Sequence, residues 1–328
     1  MYNKLTQVIV VYTHNISRVI RVHELPRPGE TVRAIGMSEG VDGAKGTNVA
    51  VVLARLGVNN ALVAQVRSIE VMESGHKLLQ QLGVDDTFIT YKEDPNYARG
   101  SMIIDDHGNN MIVLSSSSKP MPNTEIEKAL EAYKGAQYCV TGYELDEPSV
   151  RYTLHKAKQF GLTTVVNPSP VPDFLPDYWS DIDILVLNEH ELIRMLEMSG
   201  ELYEEWDWET RMRRLREIYA CGNIVLTLGA EGFLLLEGEH IFSEPGNKVN
   251  KVIDTSGAGD SFLAAMVAGL CKGKSLAQAC SWANYYAALT VQRYGTITSY
   301  LTLAEVEGIG ERSFRKCQQC KPGTFECS

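Results

Sequence analysis

The chain has 328 residues, of which 44% are hydrophobic and 22% charged, and its formal net charge is −10. This is the composition of a folded globular protein with a sizeable core, built as one large domain or two small ones. The negative charge argues against nucleic acid as the main partner, because such binding needs clustered Lys and Arg. No apolar run approaches the roughly 20 residues that span a bilayer, and no signal-peptide pattern opens the sequence, so we expect a cytoplasmic protein without a membrane partner.

Short apolar runs alternate with amphipathic stretches along most of the chain. The apolar runs predict buried strands at 8–11, 61–64, 138–140, 163–166, 182–187 and 223–227. The amphipathic stretches predict helices at 48–56, 75–82, 124–132, 149–160 and 189–198. Near-continuous apolar strands between helices are typical of a parallel sheet covered on both faces. The predicted fold class is therefore α/β, a doubly wound and mostly parallel sheet whose ligands bind at the carboxyl ends of the strands.

Two segments break this alternation. At 14–40 a polar, strand-like pattern surrounds a turn at 25–31, and at 99–115 two apolar runs flank a turn at 105–110. Both patterns predict hairpins outside the main sheet, which together would form a small β lid over the strand ends. Such a lid would exclude water from a site below it. Without a convincing linker or repeat, we predict a single domain over 1–310 and a tail over 311–328.

The cysteines divide into two groups. Four of the seven lie in predicted core segments and are expected to be plain buried thiols. The tail carries the other three, Cys317, Cys320 and Cys327. A zinc site would need a fourth ligand and no His lies nearby, so reduced thiols are the simpler interpretation.

A glycine-rich loop leads into the first predicted helix. Its sequence over 42–48 is Asp-Gly-Ala-Lys-Gly-Thr-Asn. Lys45 and Asn48 could donate hydrogen bonds to sugar hydroxyls or to a phosphate. The simpler alternative is a tight turn in which Asn48 caps the helix. The residues alone leave both interpretations open.

Two later strand ends also carry polar residues. The sequence Asn-Glu-His-Glu at 188–191 follows a buried strand and begins a helix, where a Glu would complement the helix dipole. The sequence Thr-Leu-Gly-Ala-Glu-Gly at 227–232 ends another strand in a turn. Neither segment by itself predicts more than a helix start and a turn.

The most informative stretch is Asp-Thr-Ser-Gly-Ala-Gly-Asp at 254–260, followed at once by small and apolar residues. A glycine-rich turn that opens into a helix points backbone N–H groups and the positive end of the dipole at one spot, where an anion can bind. A bound phosphate would repel Asp260, unless that carboxylate takes the proton of a hydroxyl attacking the phosphate. Gly-x-Gly alone serves equally well as a tight turn. The residues alone are thus compatible with an anion-binding turn beside a general base and with a plain tight turn.

The stretch 254–260 resembles the signature of the ribokinase-like (PfkB) family of carbohydrate and nucleoside kinases, and 42–48 resembles its first signature with Ala44 in place of a glycine. The resemblance extends from Asn15 to Gly295 and is strongest to the ribokinase subgroup. It implies an ATP-dependent kinase in which Asp260 is the general base for a primary hydroxyl of a sugar. The backbone N–H groups of Gly257, Ala258 and Gly259 would form the anion hole, and Lys45 would add positive charge.

The resemblance also implies the binding residues. Those for the substrate are Asn15, Ser17, Gly43, Ala44, Lys45, Asn48, Glu144 and Asp260. Those for the nucleotide are Asn188, Thr227, Gly229, Gly232, Gly257, Gly259 and Asn284. Asn188 and Glu191 would hold Mg²⁺ through water. An activating monovalent cation, expected to be K⁺, would be bound by Asp254, Ser256, Thr290, Gly295 and Ser299.

Three departures from the family pattern lie on the substrate and lid side. Ser17 stands where sugar kinases of the family usually carry an Asp that grips two sugar hydroxyls, and the segments 67–70 and 115–118 also differ. We therefore expect a substrate other than free ribose, which is another pentose or hexose, a sugar acid or a nucleoside. Two alternatives stay open: a nucleoside kinase of the same fold, and a catalytically silent sugar-binding protein.

The resemblance further implies a homodimer through the lid. The apolar lid residues that could form the shared face are Val19, Ile20, Val22, Ile103, Ile112 and Leu114.

Overall fold

Two β-sheets of unequal size organise the chain, which the computed structural model describes over residues 5–40, 44–96, 99–114, 119–173, 177–201 and 205–309. The predicted tail at 311–328, with its three cysteines, and Gly43 lie outside these ranges. The strands are β1 (Val8–Val11), β2 (Ser17–Arg21), β3 (Gly36–Gly40), β4 (Asn60–Val66), β5 (Ile89–Tyr91), β6 (Gly100–Ile104), β7 (Asn110–Leu114), β8 (Tyr138–Gly142), β9 (Thr163–Asn167), β10 (Ile184–Asn188), β11 (Asn223–Thr227), β12 (Phe233–Glu237) and β13 (His240–Glu244).

The helices lie mostly between these strands, as the alternation predicts. They are α1 (Lys45–Arg55), α2 (Ile69–Leu82), α3 (Asn123–Ala132), α4 (Glu147–Gln159), α5 (Glu189–Met198), α6 (Trp208–Tyr219), α7 (Ala258–Cys271) and α8 (Leu276–Thr290). Helix α2 begins six residues before its predicted start, and its first turn contains the buried Val71. The predicted strand at 182–187 begins two residues late, since a short 3₁₀ turn at Trp179–Asp181 precedes it.

The large sheet has the strand order β13-β12-β11-β10-β9-β8-β1-β4-β5 within the described residues. Its strands are parallel from β11 to β5, and β12 and β13 add an antiparallel edge. The four residues of β1 are fully buried because helices cover both faces of the sheet centre. This confirms the predicted mostly parallel α/β fold; the antiparallel edge and α6 were not among the predicted elements. None of the helices in the described ranges is long and apolar enough to cross a membrane.

The small sheet, here called the lid, contains both predicted hairpins in the order β3-β2-β6-β7. Strands β2 and β6 are parallel, and β3 and β7 run antiparallel to them at the two edges. The register places Ser17 beside Gly100 and Ile20 beside Ile103. Because side chains alternate across a strand, Ser17 and Ile20 lie on opposite faces of the lid.

This alternation corrects the predicted dimer face. Ile112 and Leu114 line the cavity below the lid, Val19 lies on that same inner side, and Val22 is buried. Only Ile20 and Ile103, among the six named residues, lie on the outer face. One cross-strand row there is apolar across all four strands, and it consists of Met37, Ile20, Ile103 and Met111.

Candidate active site

A cavity of about 540 Å³ lies between the lid and the carboxyl ends of the central strands. Ligands of open α/β sheets bind in this position, where loops leave the strands. Its wall brings together residues that the sequence places far apart. The predicted site residues among its lining are Asn15, Ser17, Ala44, Lys45, Asn48, Glu144, Asn188, Glu191, Ser256, Gly257, Gly259 and Asp260.

The Asp260 carboxylate is held by two donors from helix α1. Asn48 Nδ2 donates to Asp260 Oδ2 at 2.7 Å, and Lys45 Nζ donates to Oδ1 at 3.3 Å. A carboxylate offers about four lone-pair sites, so these two bonds leave it able to accept a further proton or hydrogen bond from the cavity. Asn48 lies inside α1, whose N-cap is Ala44. The alternative in which Asn48 caps the helix is therefore wrong.

Charges concentrate around Lys45. Burial alone would lower the pKa of its ammonium group, but the carboxylates of Asp260, Glu144 and Glu191 outweigh burial and raise that pKa above its usual range. Lys45 therefore stays positively charged at neutral pH. Glu144 accepts a hydrogen bond from Thr13 Oγ1 and another from the Lys45 backbone N–H at 3.1 Å. Burial raises the pKa of the Glu144 carboxyl group despite these partners.

The stretch 254–260 forms the predicted turn at the start of α7. Its N-cap, Gly257, has φ of +71°, and a Cβ there would lie 2.4 Å from the Tyr300 hydroxyl oxygen, so only glycine fits. The Ala258 N–H donates to the Thr255 carbonyl at 3.2 Å, which engages one of the three predicted anion-hole donors within the turn. Gly257 and Gly259 face the cavity, where the N-terminal end of the helix favours a negative charge.

Asn188 and Glu191 form a capping box at the start of α5. Glu191 N–H donates to Asn188 Oδ1 and Asn188 N–H donates to Glu191 Oε2, both at 2.9 Å. Asn167 Nδ2 also donates to Glu191 Oε2, at 3.2 Å. Across the described part of the chain, no three His, Cys, Asp or Glu side chains gather as a metal cage. The Asn188 and Glu191 side chains are thus bonded to each other's backbone, and both residues line the cavity.

Asp254 is a buried carboxylate held by backbone N–H groups. Its oxygens accept hydrogen bonds from Ser256 N–H at 2.9 Å and from Gly295 N–H at 3.0 Å. Asp254 is in none of the ion pairs found within the described ranges. The hydroxyls of Thr290 and Ser299 point elsewhere, to the carbonyls of Ala287 and Thr296.

The remaining residues predicted to bind the nucleotide are not among those that line the cavity, and they lie on the side of β11 and β12. Gly232 has φ of +98°, and a Cβ there would lie 2.6 Å from Gly246 N, so the turn at 229–232 packs against the segment 245–246. Asn284 Nδ2 donates to the Pro245 carbonyl at 2.9 Å on the same segment. Thr227 Oγ1 donates a hydrogen bond to the Leu187 carbonyl at 3.4 Å. The structure thus places Gly232 and Asn284 around one loop, with Thr227 at the strand end beside them.

Several residues of the site carry no signal in the sequence. Ser17 was predicted, but its neighbour Gly100 was not, and a Cβ on Gly100 would lie 2.8 Å from Ser17 Oγ. Thr13 was also missed, although it lies only two residues before Asn15 at the end of β1. Arg99 and Tyr143 also line the cavity. A lone Thr, Arg or Tyr has no motif, so only the folded geometry identifies such residues.

Comparison with known proteins defines the class to which this fold and site belong. The sequence profile of the pfkB family carbohydrate kinase matches residues 6–303. The chain therefore belongs to the pfkB family of carbohydrate kinases. It is by class an ATP-dependent carbohydrate kinase.

Individual relatives agree with this assignment over at least 91% of their own length. A ribokinase from Staphylococcus aureus (strain COL) is 26% identical over 312 residues, which cover 92% of this chain and 99% of the relative. A ribokinase from Mus musculus is 28% identical, covering 89% of this chain and 91% of the relative. The crystal structure of ribokinase from Cryptococcus neoformans var. grubii serotype A in complex with ADP has a TM-score of 0.79 at 28% identity and covers 94% of this chain and 100% of that one.

Proposed function

We propose that this protein transfers the γ-phosphoryl group of ATP to a primary hydroxyl of a sugar, with Asp260 as the general base. The observation that carries the proposal is the Asp260 carboxylate, held by Lys45 and Asn48 at the cavity beside the N-terminal turn of α7. A carboxylate next to a phosphate-binding turn is useful when it removes a proton from the attacking hydroxyl. The ADP complex of the related Cryptococcus ribokinase supports the nucleotide assignment.

The surrounding residues supply the charge that phosphoryl transfer needs. Lys45 keeps its positive charge beside Asp260 and can stabilise the oxygens of the transferring group. The N–H groups of Gly257 and Gly259 at the start of α7 would form the anion hole, with Ala258 joining if its bond to Thr255 opens. Glu144 faces the same cavity and is suited to accept hydrogen bonds from substrate hydroxyls.

The proposed ions fit the residues to different degrees. Mg²⁺ would be held through its waters near Asn188 and Glu191, where it would neutralise phosphate charge. A monovalent cation, which we propose to be K⁺, fits Asp254 because a buried carboxylate without a charged partner is costly. Ser256 and Gly295 already contact Asp254, and Thr290 and Ser299 would contribute through local rearrangement or their carbonyl oxygens.

The residues on the substrate side of the cavity do not determine which sugar is the acceptor. Ser17 cannot accept two hydroxyls as a carboxylate does, so we propose that the acceptor differs from ribose at the end near β2. A nucleoside is the second candidate acceptor, because Met102, Ile112, Leu114 and Tyr143 give the cavity an apolar side. We propose that the reaction takes place in the cytoplasm.

The proposal is tested by ATP consumption against a panel of pentoses, hexoses, sugar acids and nucleosides, with Mg²⁺ and K⁺ present. Wild type is compared with Asp260→Asn, which keeps the shape of the side chain but is a far weaker base. We expect kcat to fall by about 10²- to 10⁴-fold, the usual contribution of a general base. The matched control Asp207→Asn, at the distant N-cap of α6, should keep wild-type turnover.

Each outcome of the panel decides a point. Turnover that depends on Asp260 supports the kinase, and the best acceptor identifies the substrate class. Tight sugar binding without turnover on any acceptor would instead support a silent sugar-binding protein. Wild-type turnover in Asp260→Asn would exclude Asp260 as the base.

We also propose a homodimer in which the outer face of the lid meets the same face of a second copy. The row formed by Met37, Ile20, Ile103 and Met111 supports this pairing, since Met37 and Met111 are 68% and 47% exposed. An apolar row across four strands is costly to leave in water.

A further inference from the structure

Thr255 joins the lid to the 254–260 turn through two hydrogen bonds. Thr255 Oγ1 donates a hydrogen bond to the Gly108 carbonyl at 2.8 Å and accepts one from Asn110 Nδ2 at 3.3 Å. A Cβ on Gly108 would lie 3.0 Å from the Ile253 carbonyl oxygen, so the two backbones approach closely at this point. Both lid residues come from the β6–β7 hairpin, which is more than a hundred residues away in sequence. The Thr255 hydroxyl therefore acts as donor and acceptor toward the same lid turn.

The lid turn is built to hold its shape. The Asp105 carboxylate accepts hydrogen bonds from the backbone N–H groups of His107 and Asn109 at 2.9 and 2.8 Å, and from Asn109 Nδ2 at 2.9 Å. Burial would raise the pKa of Asp105, but these bonds outweigh it and lower that pKa. The hydrogen bonds within this turn therefore hold the Gly108 carbonyl in place next to Thr255.

On its other side, Thr255 belongs to the proposed anion-binding turn. Its carbonyl accepts the Ala258 N–H at 3.2 Å, and the preceding residue, Asp254, anchors the turn to Gly295. A displacement of Thr255 is therefore passed directly to the start of α7. In the lid, Asn110 and Met102 face the cavity where the acceptor would bind, and Ser256 Oγ lies 3.1 Å from Met102 Sδ.

We propose that Thr255 is a positioning residue whose hydroxyl fastens the closed lid to the 254–260 turn, so that acceptor and phosphate-binding turn are held together. This inference rests on the proposed kinase function. A fastening of this kind stabilises the closed lid over a bound acceptor. Its loss weakens acceptor binding, while a saturating acceptor still closes the lid and leaves the chemical step intact.

The test compares Thr255→Val, which keeps the branched shape and removes the hydroxyl, with Thr255→Ser, which keeps the hydroxyl. We expect Thr255→Val to raise the KM of the best acceptor about fivefold, the effect of one ordinary hydrogen bond, with kcat within twofold. Thr255→Ser should keep wild-type constants. In hydrogen exchange, the amides at 105–110 should exchange faster in Thr255→Val than in Thr255→Ser.

Three results of the kinetic comparison would contradict the proposed role of Thr255. Wild-type KM in Thr255→Val, the same defect in Thr255→Ser, or a fall in kcat at unchanged KM would each overturn the proposal. If Thr255→Val does not fold, Gly108→Ala replaces it, because an alanine at φ of +82° pushes the lid turn away from Ile253 and should raise KM alike. If the wild type phosphorylates no acceptor, the proposed function is wrong. Independently of that, equal rates of amide hydrogen exchange at 105–110 in both Thr255 variants would show that the Thr255 hydroxyl does not hold the lid.

Discussion

At the scale of single residues, the site shows how burial and partners set the properties of titratable groups. Lys45 and Glu144 lie in one cavity, yet their environments act differently on them. Three nearby carboxylates keep Lys45 charged against the effect of burial, whereas burial dominates for Glu144 and raises the pKa of its carboxyl group. The cavity thus offers a permanent cation beside Asp260 and, in Glu144, a carboxyl group that gains a proton more readily than usual.

His14, directly behind the site, couples stability to pH. It is 4% exposed, its Nδ1 lies 2.8 Å from Thr47 Oγ1, and burial lowers its pKa from 6.5 to about 4. Below pH 6.5 the unfolded chain binds a proton here that the folded chain does not bind until about pH 4. The free energy of unfolding therefore falls as pH drops through this window and is unaffected by His14 above it.

We expect this group to remove about 3 kcal/mol of stability between pH 7 and pH 4, since one pKa unit corresponds to about 1.4 kcal/mol. The measurement is urea unfolding across that range for wild type and His14→Gln. The difference between the two proteins should shrink toward acid pH by that amount. A difference that stays constant with pH would show that His14 is not held neutral in the folded protein.

At the scale of elements, the start of α1 depends on a close approach of two backbones. Gly46, in the first turn of α1, packs against the end of β1, and a Cβ there would lie 2.3 Å from the Thr13 carbonyl oxygen and 2.7 Å from Tyr12 Cβ. A backbone oxygen two residues beyond the end of the buried strand β1 cannot move aside cheaply. Packing therefore requires a glycine at position 46. This close approach brings Thr13 and the Lys45 backbone together, and both donate hydrogen bonds to Glu144.

Gly46→Ala should consequently lower the free energy of unfolding by about 1–3 kcal/mol, the usual cost of overpacking. The midpoint of urea unfolding measures this loss. Gly308→Ala is the matched control, because a Cβ at that position in the helical segment 303–309 meets nothing within 4 Å. Equal stability of the two variants would contradict the packing argument.

At the scale of the whole molecule, the two faces of the lid have different tasks. The inner face closes the cavity and touches Thr255, while the outer face carries the apolar row with Met37. A charge at Met37 should prevent two lids from packing together, because burying it against apolar side chains is costly.

We expect Met37→Glu to behave as a monomer in light scattering at concentrations where the wild type is a dimer. Ile69→Glu makes the same chemical change at a 54% exposed position on α2, away from the lid, and should remain dimeric. A monomeric wild type would refute the proposed dimer. A Met37→Glu dimer would place the interface elsewhere.

Much of this architecture can be predicted from the sequence. The strand at Val8–Val11 and the helix at Glu189–Met198 form where the pattern predicts, because runs of buried or amphipathic residues are local properties. Strand β12 was not predicted although its first four residues form an apolar run, whereas β13 is mostly exposed at the sheet edge and has only two apolar residues, Ile241 and Phe242. Four of the six residues predicted for the dimer face do not lie on it, because apolar character alone does not say on which face of a strand a side chain lies.

By itself, the sequence determined the alternation of strands and helices, the two hairpins and the glycine-rich turns, because each depends on neighbouring residues and on backbone preferences. Only the tertiary structure decided that Asp260 meets Asn48, 212 residues away, and that Thr255 meets Gly108, 147 residues away. It also decided which lid residues face the cavity. These contacts depend on strand register and on how helices pack across the sheet, and both are set by the burial of the entire core rather than by any local pattern.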